Sequence, residues 1–159
     1  MDFTDKRIVM YKDISGNLGD LQKNLSALGQ EIEGDVKKNV IKKVLFNLWT
    51  LVTEGGDGCD GTPIKTGRAR GSWMLDTAPS DWSLPPGDYT QAINNNMLAA
   101  ISALPDSDKY YLFNNLEYIV PLENGHSQQA PQGFVAQAIA VIGIYVAKAA
   151  TAAGYKAKI

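Results

Sequence analysis

The sequence predicts an α+β single domain, with a small, mostly antiparallel sheet packed against two long helices. Three observations predict it. Apolar residues recur at helical spacing before residue 54, and an alanine-rich run after residue 131 reads as a second helix. Short aromatic and aliphatic runs near residues 69–78 and 109–114 read as strands. No linker, repeat or composition shift divides the 159 residues, a length that suits one core. The domain is expected to span 1–159, with residues 1–15 and 154–159 as flexible ends.

Residues 7–11 contain Ile8, Val9, Met10 and Tyr11, a candidate third strand. Leu18, Leu21, Leu25, Leu28 and Ile32 then follow a 3,4,3,4 spacing, and Val36, Val40, Val44 and Leu48 continue it. This predicts an amphipathic helix over 18–53, with Gly29 and Gly34 as places for a bend. Lys37, Lys38, Lys42 and Lys43 form a basic stripe on its other face. Four glycines between 55 and 61 predict a flexible loop that exposes Cys59. A strand is expected over 69–78, with Trp73 in the core. A helix is expected over 89–104 and a strand over 109–114. A helical turn containing Pro121 is expected over 117–123, and a second long helix over 132–150.

Charge narrows the function classes. Fifteen basic and 17 acidic residues leave a net charge of −2, so the whole chain has no general attraction for nucleic acid or membrane. Residues 80–147 carry Lys109 against six acids. One cysteine excludes an intrachain disulfide and a cysteine-rich zinc site, and suits a reducing compartment. The N-terminus has no apolar signal region, and the Ala-rich stretch over 134–153 reads as too polar for a membrane span.

Candidate chemistry is sparse. Gly56 and Gly61 have phosphate-loop spacing, but Thr62 and Pro63 stand where Lys and Ser/Thr are needed. Asp57 and Asp60 lack the alternation of a calcium loop. Cys59 with His126, or His126 with Glu117 and Glu123, match no ligand or triad spacing. The sequence therefore reads as non-enzymatic, with no cofactor and no metal. Lys65, Arg68 and Arg70 stand out as three cations in six residues, suited to acidic groups on another subunit or to phosphates.

Two segments carry a resemblance. Residues 62–73 fit T-P-x-x-T-G-x-x-x-x-S-W. After an apolar strand ending in Asn114 and Asn115, residues 118–133 fit Y-x-x-x-L-E-x-G-x-S-x-Q-A-P-x-G. Together, in this order, they resemble the tail-completion and neck proteins of tailed bacteriophages, also described as minor tail or tail-component proteins. The acidic glycine loop before Thr62 and Pro121 depart from the pattern. The resemblance implies a virion structural protein of the neck or upper tail, made in the host cytoplasm. It would form a sixfold ring that completes the tail or joins it to the head. Neighbouring head-closure adaptor and tail-terminator proteins would be its partners, with packaged DNA as a further one. A tail-terminator or head-closure ring is the alternative within the class. A DNA-binding accessory protein using residues 37–43 and 65–70 is the alternative outside it.

The motif residues read as shapers of loops. Pro63 fixes φ, Gly67 permits a turn, and Asn114 closes a strand through side-chain bonds. Gly125 ends a helical turn, and Pro131 and Gly133 lead into the last helix. Glu123 is expected to anchor a loop or to pair with Arg68 or Arg70, within or between subunits. Lys65, Arg68, Arg70, Glu123 and the stripe from Lys37 to Lys43 are the candidate subunit or DNA-channel contacts.

Overall fold

The computed structural model describes residues 35–91, 97–107 and 109–154. The expected strand over 7–11, the first half of the helix over 18–53 and the chain end after 154 lie outside the described residues. Seven elements follow in order: α1 (Asp35–Thr53), α2 (Arg68–Gly71), β1 (Met74–Asp76), α3 (Met97–Ala103), β2 (Tyr111–Phe113), α4 (Ile119–Glu123) and α5 (Val135–Ala152).

The fold class is α+β. Its core is the packing of α1 against α5. Val40, Val44, Leu48, Leu51 and Val52 form the buried stripe of α1, at the three-to-four spacing that puts side chains on one helix face. Ala138, Ile139, Ile142, Val146 and Ala149 form the matching stripe of α5. Small residues among these allow a close approach of the two backbones. By length and composition α5 is apolar enough to cross a membrane, yet seven of its residues lie buried in this core.

Among the described residues the sheet has two strands. β1 and β2 pair antiparallel, with Met74 opposite Phe113, Leu75 opposite Leu112 and Asp76 opposite Tyr111. A pair of three-residue strands has little stability of its own. It is held because Leu75, Leu112 and Phe113 are buried. Trp73, just before β1, is fully buried and meets Phe134 edge-to-face at 6.3 Å.

Two expectations need correction. The strand expected over 69–78 shrinks to Met74–Asp76, because residues 68–71 wind into the single helical turn α2. The helix expected over 89–104 does not begin at 89: residues 89–91 are irregular, and the Tyr89 amide donates to the Thr66 carbonyl. The described helix there is the seven-residue α3. Pro121 sits in the third position of α4, in the first turn, where its missing N–H would have had no helical partner.

The glycine loop is ordered. Gly56 and Cys59 exchange two backbone hydrogen bonds, of 3.0 and 2.9 Å. Two side-chain clamps then fasten the loop to α5. The Asp60 amide donates to Gln137 Oε1 at 2.7 Å, and Gln137 Nε2 returns a bond to Asp60 Oδ2 at 2.9 Å. The Tyr145 hydroxyl donates to Asp57 Oδ2. This bond to the carboxylate raises the Tyr145 phenol above its ordinary value.

Cys59 is thus buried, contrary to the exposed position expected of it. Burial raises its thiol pKa, and the nearby carboxylates of Asp57 and Asp60 raise it further. A raised pKa means less thiolate at any pH below it. Cys59 is therefore expected to react with a thiol reagent at pH 8 at least about tenfold more slowly in the folded protein than in urea. Stopped-flow labelling checks this; equal rates in both states would contradict it.

Candidate functional site

The two motifs, about 50 residues apart in sequence, close on each other. The link is Gln129. Its side-chain amide accepts a hydrogen bond from the Ile64 N–H and donates one to the Ile64 carbonyl, both at 2.9 Å. An amide that satisfies both backbone groups of one residue imitates a sheet pairing. Ser127 supports it by accepting from the Gln129 N–H at 3.2 Å.

Thr62 anchors the first motif. It is fully buried, and all its polar groups are used. Its N–H donates to the Thr53 carbonyl at 3.1 Å. Its hydroxyl donates to the Val52 carbonyl at 2.7 Å and accepts from Trp73 Nε1 at 2.8 Å. Arg70 Nε and Nη2 both donate to its carbonyl, at 3.3 and 3.1 Å. Sequence reading missed this role, since a threonine before proline looks like a loop residue. The signal was Thr62 and Trp73 appearing in one motif. Pro63 is buried beside it, and Gly67, with φ of 77°, precedes α2. Asn114 ties α2 to the second strand. Its Nδ2 donates to the Ala69 carbonyl at 2.8 Å, and its Oδ1 accepts from the Leu116 N–H at 3.1 Å.

Glu123 caps α5. Phe134, at the cap position, supplies no side-chain acceptor. The carboxylate fills that role from 11 residues away. Oε2 accepts from the N–H groups of Phe134 and Val135 at 2.9 and 2.8 Å, and Oε1 from that of Ala136 at 2.9 Å. These are three of the four amides that a helix start leaves without internal partners, and the negative charge suits the helix dipole. Gly133 is required beside it: with φ of 79°, a Cβ there would stand 2.6 Å from the Glu123 carbonyl oxygen. Gly125 is constrained likewise, since a Cβ would meet the carbonyl of Pro131 at 2.4 Å.

The pairing of Glu123 with Arg68 or Arg70 inside one chain is therefore corrected. Glu123 serves backbone amides, and the arginines serve backbone carbonyls. Arg68 Nε donates to the Leu84 carbonyl at 2.8 Å. Burial holds the Arg70 guanidinium below its usual pKa, with Glu54 opposing that shift.

The basic stripe divides in the same way. Lys38 forms an ion pair with Asp106 at 2.6 Å, which raises its pKa through the hydrogen bond and the charge. Lys42 donates to the Ser102 carbonyl at 2.7 Å. Both fasten α1 to the α3 region. Lys43 and Lys65 are exposed, with no ion pair among the described residues. Lys37 lies in α1, but its side chain is outside the described residues.

Between the joined motifs lies an open cleft of about 520 Å³. Pro63, Ile64, Tyr118 and Leu122 give it apolar walls, and Lys65 and His126 contribute polar groups to its lining. Gly67 and Ala69 line it from the α2 side. It falls within the usual size range of ligand pockets. Among the described residues, no group of three or more His, Cys, Asp or Glu side chains is placed to hold a metal ion. No family model, curated protein or solved structure matches the chain.

Proposed function

We propose that the protein is a non-enzymatic virion structural component of a tailed-phage neck or upper tail. It assembles into a sixfold ring that completes the tail or joins it to the head. The support comes from the convergence of the two motifs. Thr62, Asn114, Glu123 and Gln129 spend their side chains on backbone groups of other segments. The motif residues thus build a rigid platform, and the cleft they frame is a surface for assembly. The partners are further copies of the chain and the neighbouring head-closure and tail-terminator proteins. Lys43 and Lys65 remain as cations for a neighbouring subunit or for packaged DNA.

A DNA-binding accessory role is less well supported. Lys38, Lys42, Arg68 and Arg70 are all engaged by their own chain. Tight duplex binding that falls steeply with salt would nevertheless favour it.

Electron microscopy of lysates from the phage lacking this gene tests the proposal. Filled heads beside separate tails of normal length are expected. Tails of abnormal length would instead assign the protein to the terminator ring.

A further inference from the structure

Trp82 is a large aromatic side chain held out into solvent. It is 44% exposed, in a loop whose backbone is pinned at several points. Asn115 Nδ2 donates to the carbonyls of Ser80 and Trp82 at 2.7 and 2.6 Å. Leu84, two residues on, donates its N–H to Ser72 Oγ at 3.1 Å and accepts from Arg68. A presented tryptophan on a pinned loop loses little conformational freedom when it docks, and tryptophan is enriched among the residues that dominate interface energy.

The cleft between residues 63–67 and 118–129 has the complementary character. Its walls are apolar, and its open volume of about 520 Å³ admits an indole together with neighbouring side chains. Charge agrees. The Trp82 loop carries Asp81 and Asp88 and no basic residue from 79 to 91. Lys65 brings a positive charge to the lining of the cleft.

The two features are formed by different residues in and around α2. Gly67 and Ala69 face the cleft. Arg68 and Ser72 bond to the Trp82 loop, and Gly71 lies against the Leu84 side chain. A knob and a socket made of different residues give a head-to-tail contact between copies, the kind that closes into rings.

We infer that Trp82 of one copy of the chain docks in the cleft between residues 63–67 and 118–129 of the next. This rests on the ring assembly proposed above and names its contact. Sedimentation velocity over a concentration series tests it. The wild-type chain is expected to self-associate, and Trp82→Ala to weaken association at least about tenfold. The doubly substituted Lys65→Glu/His126→Glu chain, altered only at exposed positions, is expected to weaken it similarly. Mixed together, the two variants retain one intact knob and one intact socket. They should form 1:1 dimers that grow no further.

Three results would overturn the contact: Trp82→Ala chains that assemble as the wild type does, a mixture that forms full rings, or wild-type chains that stay monomeric up to about 1 mM. Rings that survive Trp82→Ala would remove this contact and leave the neck role standing. Normal particles from the gene-deleted phage would remove the neck role, whatever Trp82→Ala does.

Discussion

Trp73→Ala is expected to destabilise the protein by about 4–5 kcal/mol, the upper end for deletion of a buried aromatic. Trp73 is fully buried against Phe134, so truncation leaves a cavity at the junction of the sheet and α5. It also leaves the buried Thr62 hydroxyl without its donor, within the network that joins α1, the first motif and Arg70. Trp73→Phe separates the two effects. It retains most of the volume and removes the N–H, and should cost about 1–2 kcal/mol. Urea denaturation of the three proteins checks this. Trp73→Ala within about 1 kcal/mol of wild type would mean that the tryptophan does not organise the core.

Glu123→Ala should be the second largest loss, about 3 kcal/mol, since a cap alone is worth about 1–2 and here a charged group serves three amides. For a chain of this size that lowers the melting temperature by about 6–12 °C. Glu123→Gln keeps the length and one acceptor oxygen, and should lose about half as much. The same geometry bears on charge-swap experiments. Glu123→Arg combined with Arg70→Glu should not restore stability, because neither residue is the other's partner in the chain: Arg70 holds the Thr62 carbonyl and Glu123 the amides of α5. Recovery in the double variant would contradict the capping role.

Much of the scaffold was legible in the sequence because it rests on periodicity. The spacing of Val40, Val44 and Leu48 marked α1, and the alanine-rich run after residue 131 marked α5. The failure at residues 69–75 has a physical cause. Ala69, Gly71, Trp73 and Leu75 are all buried, a strand-like spacing that buried Ser72 interrupts, and residues 68–71 form a helical turn. Burial at i and i+4 serves a helix as well as i and i+2 serves a strand, and Ala69 and Trp73 satisfy both. Short segments do not separate the two periods.

The candidate site was legible in its residues and not in its bonds. Glu123, Gly125 and Gly133 were recognisable as a set, and the same contacts explain why. Both glycines are forced by the backbone passing beside them, and Glu123 is forced by the helix start. Of the two roles expected of Glu123, anchoring backbone fits and pairing with an arginine of the same chain does not: its carboxylate serves three converging backbone amides, which leave no mark in a sequence. Cys59 was misjudged for a related reason. Glycines suggested mobility, but Gln137 and Tyr145, about 80 residues later, hold the loop to α5.

The central claim is that this platform serves virion assembly, and the fate of particles made without it tests that most directly. In thin lysates of the gene-deleted phage, electron microscopy should show DNA-filled heads and detached tails of normal length, with joined particles restored when the wild-type chain is supplied in trans. Intact, infectious particles in the uncomplemented lysate would contradict the account.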